Sequence, residues 1–281
     1  MNTRILTDTH LDQFQQHLIT NEKAAHTVEK YIRDVRVLAA FLDGRAVTKE
    51  LTVAFKQTLL DSGYAPASVN SMLASINSLF SFLGWFDCKV KAIKQQRQIF
   101  CNEEKELTKA EYVRLLNAAK QKKNERLNLI LQTICGTGIR VSELQFITVE
   151  AARMGQATVK CKGKVRTVFL VRALQKKLLR YARERHITAG SIFITRSGKS
   201  ISRTNIWREM KALCKDANVN PKKVFPHNLR HLFARTFYGL EKDIAKLADI
   251  LGHSSVDTTR IYIVSTGAEH RRKMENMRLV M

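Results

Sequence analysis

The sequence predicts a mainly α protein of two domains, with one small β-hairpin set in the second. Three observations point there. Four stretches within residues 1–88 repeat apolar residues at helical spacing, with short connections between them. A polar, basic stretch at 89–106 interrupts that pattern. Helical patterning then resumes and is broken chiefly by one pair of β-branched runs, on either side of Lys162-Gly163-Lys164.

Taken in order, Leu11, Phe14, Leu18 and Ile19 share one helical face. Val28, Tyr31, Ile32, Val35, Leu38, Phe41 and Leu42 form a second stripe, which Asp43-Gly44 ends. Thr48 opens a third segment through Leu51, Phe55, Leu59 and Leu60, closed by Ser62-Gly63. Ala65-Pro66-Ala67-Ser68 starts a fourth, whose stripe runs from Val69 to Leu83. Residues 1–88 therefore read as a helical domain, 89–106 as a linker and 107–281 as a second domain. Thr108, three residues before Glu111, marks a capped helix start. Residues 157–161 and 165–170 predict the hairpin, and Ser191-Ile192-Phe193-Ile194 predicts a further short strand. The tail at 266–281 predicts a short helix with Met274, Met277 and Val280 on its apolar side.

Composition narrows the function. The chain has 281 residues, 44% of them hydrophobic, so a packed core is expected rather than disorder. No apolar run approaches the roughly 18 residues of a membrane span. The N-terminus does not read as a signal peptide, and five scattered cysteines suit reduced thiols, so a cytoplasmic location is expected. The formal charge is +23 and uneven: 12 Lys+Arg face 9 Asp+Glu in residues 1–100, and 36 face 16 in residues 101–281. Such self-repulsion points to a polyanionic partner, nucleic acid first. An anionic membrane would ask for one concentrated basic helix, whereas these cations are spread over many elements.

The chemistry-bearing residues fall in one order. Arg140 follows Gly136-Thr137-Gly138, and its guanidinium can fork onto two phosphate oxygens, with Glu143 one turn on to orient it. Lys162 lies at the hairpin tip. His227 and Arg230 follow Pro226 three residues apart, so one helix face presents an imidazole and a second guanidinium. His253 comes after Gly252, and Tyr262 nine residues later. A tyrosine hydroxyl attacks phosphorus usefully only where cations stabilise the developing charge. Tyr31, Tyr112, Tyr181 and Tyr238 fall in helical apolar patterns and read as packing residues, and Tyr64 sits in a polar turn. No acidic residue in these motifs completes a metal cluster with His227, His231 and His253, so no metal is expected, and His231 reads as a packing or supporting residue. Lys164, Arg203, Arg208, Lys222 and Lys223 are candidate DNA contacts, although a solvated basic face would use the same residues.

The segments Gly136 to Leu144, Pro226-His227-Asn228-Leu229-Arg230-His231, Leu251-Gly252-His253-Ser254-Ser255 and Thr258 to Tyr262 resemble the signature of the tyrosine recombinase (phage integrase) family, nearest in size to its Xer-like two-domain members. That resemblance implies a SAM-like core-binding domain and a catalytic domain closing as a C-shaped clamp on duplex DNA. It implies a site-specific recombinase in which Tyr262 forms a 3′-phosphotyrosine and a Holliday junction follows. Arg140, Arg230 and His253 would hold the phosphate, His227 would assist proton transfer, and Lys162 would protonate the leaving 5′-oxygen. Lys164 is the alternative lysine, because the turn is one residue shorter than in many relatives. Neither ATP nor a divalent metal would be needed. The tail would dock on a neighbouring subunit to close a homotetramer on synapsed DNA, with a monomer free in solution. A type IB topoisomerase and a non-catalytic DNA-binding relative are the rival readings. No arm-binding domain precedes residue 1 in this sequence, which disfavours an integrase with two DNA specificities.

Overall fold

The computed structural model describes residues 4–94, 103–161, 164–195, 197–262 and 267–277. It divides into two compact units, Met1–Arg97 and Gln98–Met281. Among the described residues no helix is long and apolar enough to cross a membrane.

The first unit is a four-helix bundle of α1 (Asp8–Thr20), α2 (Ala25–Leu42), α3 (Lys49–Asp61) and α4 (Pro66–Phe82). Local chemistry fixes the ends. The Thr7 and Thr48 hydroxyls accept from the third amide of their helices, Pro66 takes the first position of α4, and Asp43 closes α2 in the left-handed region. The core holds Phe14, Val35, Leu38, Phe55, Leu73, Ile76, Leu79 and Phe80, all at most 2% exposed. Each such side chain is worth about 1.5–3 kcal/mol of burial. Ile19, expected on the buried face of α1, is 49% exposed. At helical pitch it lies one residue past Leu18, which takes the inward position. Asp34, Thr52 and Ser75 are the buried polar side chains among the described residues of this unit; Asp34 accepts from Ser75 Oγ at 2.8 Å and Lys30 Nζ at 2.6 Å.

The stretch after α4 runs extended along this unit. Asn77 exchanges two bonds with Val90, at 2.8 and 3.0 Å, and Asn70 two with Ile93, at 2.9 and 2.7 Å. Each side-chain amide thereby supplies the donor and acceptor that a neighbouring strand would offer.

The second unit is built around α6 (Glu125–Thr137), which buries residues on several faces, Leu127, Leu129, Ile130, Leu131 and Ile134 among them. A helix buried on more than one side is a central helix, and α5 (Lys109–Gln121), α8 (Arg172–Glu184), α9 (Arg203–Leu213) and α10 (Pro226–Glu241) pack on it. The short α7 (Val149–Met154) leads into β1 (Gln156–Cys161), which pairs antiparallel with β2 (Lys164–Phe169) from Gln156↔Phe169 to Cys161↔Lys164. After α10 come α11 (Ile244–Leu251), α12 (Val256–Arg260) and α13 (Gly267–Asn276). Thr108 and Glu111 form a reciprocal capping box on α5. The expected strand at Ser191–Ile194 is instead two isolated bridges, Thr148↔Ser191 and Ile194↔Ser200. Its β-branched composition finds no continuous partner edge, and Ile192 and Phe193 fill the core without a ladder.

Candidate active site

The site begins where α6 ends. Gly138 adopts φ +65° and caps the helix in the left-handed region. A Cβ there would fall 2.5 Å from Phe233 Cδ1 and 2.9 Å from Leu251 Cδ2, so the backbone at this turn packs directly on α10 and α11. Ile139 is fully buried and anchors the turn, and Arg140 follows at the head of a 3-10 segment, Val141–Phe146. The Arg140 amide donates to Glu143 Oε2 at 2.7 Å, and its Nη1 donates to Glu143 Oε1 at 3.0 Å.

Glu143 is 1% exposed and has a second partner. Arg166 on β2 donates a fork, Nη1 to Oε1 at 2.8 Å and Nη2 to Oε2 at 2.7 Å. Both guanidiniums help hold the Glu143 carboxyl below its ordinary range, against the opposing effect of burial. Sequence reasoning passed over Arg166. The available signal was its place in an alternating strand, since Val168 and Leu170 two and four residues on are buried while Val165 and Phe169 are exposed.

Arg230 lies under this arrangement, 2% exposed on α10. Its Nη1 donates to the Gly138 carbonyl at 2.6 Å, and its Nη2 donates to the Leu251 carbonyl at 2.7 Å and to His253 Nε2 at 2.9 Å. None of these partners carries a negative charge. Burial, then Arg140, pull the Arg230 pKa down to about 10, so the group stays charged near neutrality. The Tyr262 hydroxyl lies close enough to support that charge. A buried cation ringed by neutral acceptors is a standing demand for an anion.

His253 completes the link between Arg230 and α12. An arginine can only donate, so His253 Nε2 accepts and Nδ1 carries the proton, donated to Thr259 Oγ1 at 2.8 Å. Burial and the positive charges of Arg230, Arg140 and Arg166 push the His253 pKa down to about 4. His227 is also lowered, by burial and then by His231, Arg230 and Arg140. Both imidazoles are therefore neutral near pH 7.

Tyr262 is 3% exposed, its ring centroid 4.4 Å from His231, 5.4 Å from His253 and 5.5 Å from His227. His231 Nδ1 stands 3.6 Å from Glu106 Oε1, and Arg235 lies on the other carboxylate oxygen at 3.5 Å. His231, with Arg235, holds the Glu106 carboxyl below its ordinary range.

Arg140, His227, Arg230, His253 and Tyr262, spread over 123 positions of sequence, thus meet in one place. A cleft of about 610 Å³ opens beside them, lined by Arg140, Ser142, His227, Arg230, and Arg203, Thr204 and Trp207 of α9. Lys162 lies outside the described residues, as does the side chain of Lys164, whose backbone opens β2. Arg203, Arg208 and Lys222 stand exposed. Lys223 does not: its ammonium meets Glu111 at 3.0 Å with both side chains mostly covered. That ion pair ties α5 to the segment before α10 and engages the Lys223 ammonium within the protein.

Comparison with known proteins gives the following. Residues 105–269 match the model of the "Phage integrase family", and residues 11–85 match that of the "Phage integrase, N-terminal SAM-like domain". The tyrosine recombinase XerA of Pyrococcus horikoshii is 27% identical over 96% of this chain and 94% of its own. The tyrosine recombinase XerD of Halalkalibacterium halodurans is 25% identical, over 93% of each. Among solved structures, a lambda integrase dimer bound to a COC′ core site superposes with a TM-score of 0.75 at 17% identity, over 94% of this chain and 96% of that one. The crystal structure of XerA recombinase gives a TM-score of 0.54 at 23% identity, over 98% and 100%. These two structures establish the fold in common.

Proposed function

The chain belongs to the phage integrase family, and on that premise we propose how its residues carry out site-specific recombination. It is a tyrosine recombinase, an enzyme that cuts DNA strands and rejoins them through a bond to its own tyrosine. The observation that carries the assignment of roles is Arg230, a buried guanidinium whose three bonds all go to neutral acceptors, beside Tyr262.

The chemistry follows from the charges. A scissile phosphate in the cleft takes the unused donors of Arg140 and the field of Arg230, which neutralise the charge that grows on its oxygens. Tyr262 Oη attacks phosphorus in line, and neutral His227 is able to accept the phenolic proton. The bond to the 5′-oxygen breaks, and Lys162 donates the proton that this oxygen needs. His253 Nε2 is engaged by Arg230 in the free protein. Donation from that nitrogen to phosphate requires a proton there, which the arriving negative charge favours. The phosphotyrosyl bond conserves the energy of the phosphodiester, so a 5′-hydroxyl from a partner strand reverses the attack without ATP or metal, through a Holliday junction.

In this reading the 1–88 domain grips the duplex near the cut and the 107–281 domain does the chemistry, in the cytoplasm. Arg203, Arg208, Lys222 and Lys164 meet phosphates. Copies of the chain assemble as a tetramer on paired sites through α13 and the turn that follows it, where Met274 and Met277 stand 58% and 59% exposed. Incubating the protein with nicked duplex tests the core of this. A covalent protein–DNA adduct should form with the wild type and not with Tyr262→Phe, and should survive a chelator. An adduct in Tyr262→Phe would remove Tyr262 from its role. Deleting 266–281 should abolish synaptic tetramers.

A further inference from the structure

We propose that Arg166 is a positioning residue that keeps Arg140 available to phosphate, by saturating the buried carboxylate that would otherwise neutralise it. The inference rests on the reading of Arg140 as a phosphate clamp. A carboxylate offers about four acceptor sites, and in Glu143 all of them are filled. Oε1 accepts from Nη1 of Arg140 and Nη1 of Arg166, and Oε2 accepts from the Arg140 amide and Nη2 of Arg166. Arg166 takes the forked geometry that makes arginine–carboxylate pairs strong. Arg140 is left with one side-chain bond to Glu143.

The consequence is electrostatic. Two guanidiniums share one carboxylate, so one positive charge remains. Arg166 is the more enclosed, 13% exposed against 34% for Arg140, and Arg140 is the one that lines the cleft. The surplus charge is thereby presented where the phosphate arrives. Without Arg166, a carboxylate that is 1% exposed would have Arg140 as its sole cationic partner among the described residues. The best geometry would then be a fork from Arg140 itself, which turns its donors inward and cancels its charge.

Arg166 is also braced from its other side. Gly252 adopts φ +65°, and a Cβ there would fall 2.7 Å from Arg166 Cδ. The arginine stem therefore lies on the backbone directly before His253. One side chain of the hairpin sets the carboxylate under Arg140 and fills the space beside the His253 turn.

The full-length protein and a nicked duplex carrying the sequence it traps covalently provide the test. Arg166→Met should slow adduct formation about 100-fold, the penalty of a misplaced clamp. Adding Glu143→Gln removes the charge that captures Arg140 and should restore about tenfold of that loss. A methylphosphonate at the scissile bond carries no negative charge for Arg140 to meet, so on that substrate Arg166→Met should come within about threefold of the wild type. Should Arg166→Met fail to fold, Arg166→Lys carries the same comparisons with a penalty of about tenfold, since an ammonium cannot fork. A double variant no faster than the single, or an undiminished penalty on the methylphosphonate, would overturn the proposal. A wild type that forms no adduct would instead overturn the reading of Arg140.

Discussion

Replacing His253 with glutamine should flatten the loss of stability that this protein suffers as pH falls from about 7.5 to about 5. Burial and three arginines hold His253 at a pKa of about 4 in the fold, against 6.5 ordinarily. As pH drops below 6.5 the unfolded chain binds a proton at this position and the folded chain does not. The contribution is therefore complete above about 6.5 and is lost between there and about 4. At pH 5 the difference is about 2 kcal/mol, and partial access to solvent reduces it to about 1–2 kcal/mol. Glutamine can still accept from Arg230 and donate to Thr259, but it does not titrate. Urea denaturation of both proteins at the two pH values measures the effect, with the depressed His227 present in each as a common background. An equal pH-dependent loss in the two proteins, to within about 0.5 kcal/mol, would refute the electrostatic account of the site.

Other expectations can be checked with the same preparations. Gly138→Ala forces a side chain into a left-handed position and against Phe233 and Leu251, which should cost about 2–4 kcal/mol in urea denaturation of the second unit. Arg230→Lys loses the pair of carbonyl bonds made by separate nitrogens, and adduct formation should fall by about 10²–10³ with DNA affinity little changed. Asp34→Ala removes the carboxylate that Lys30 and Ser75 share in the first unit, leaving the ammonium its bonds to Ser75 Oγ and the Ser71 carbonyl, and should lower stability by about 1–3 kcal/mol, read from the urea midpoint of its transition.

What the sequence made legible was local. Arg140, His227, Arg230, His253 and Tyr262 sit in short segments whose spacing already implies a turn or a helix face, and the fold brings those faces together. The helix starts at Thr48 and Thr108 obey side-chain capping that acts within three residues. The partner of Arg166 was illegible for the opposite reason, although its inward place on the strand was not. That partner is 23 residues away, across a hairpin whose register decides which side chains point inward. Lys223 likewise reads as one cation among many until Glu111, 112 residues earlier, arrives beside it. The segment at Ser191–Ile194 had strand-like composition, but a strand needs an edge to pair with, and only isolated bridges are offered.

The burial of Tyr262 among three imidazoles of its own chain has a genetic corollary. On the proposed roles, each copy of the protein is equipped to break a strand with what it inherited, so a lesion stays private to the copy that bears it. Two crippled alleles, one lacking Arg230 and the other lacking Tyr262, have nothing to lend each other, and a cell expressing both should be as deficient as a cell expressing either.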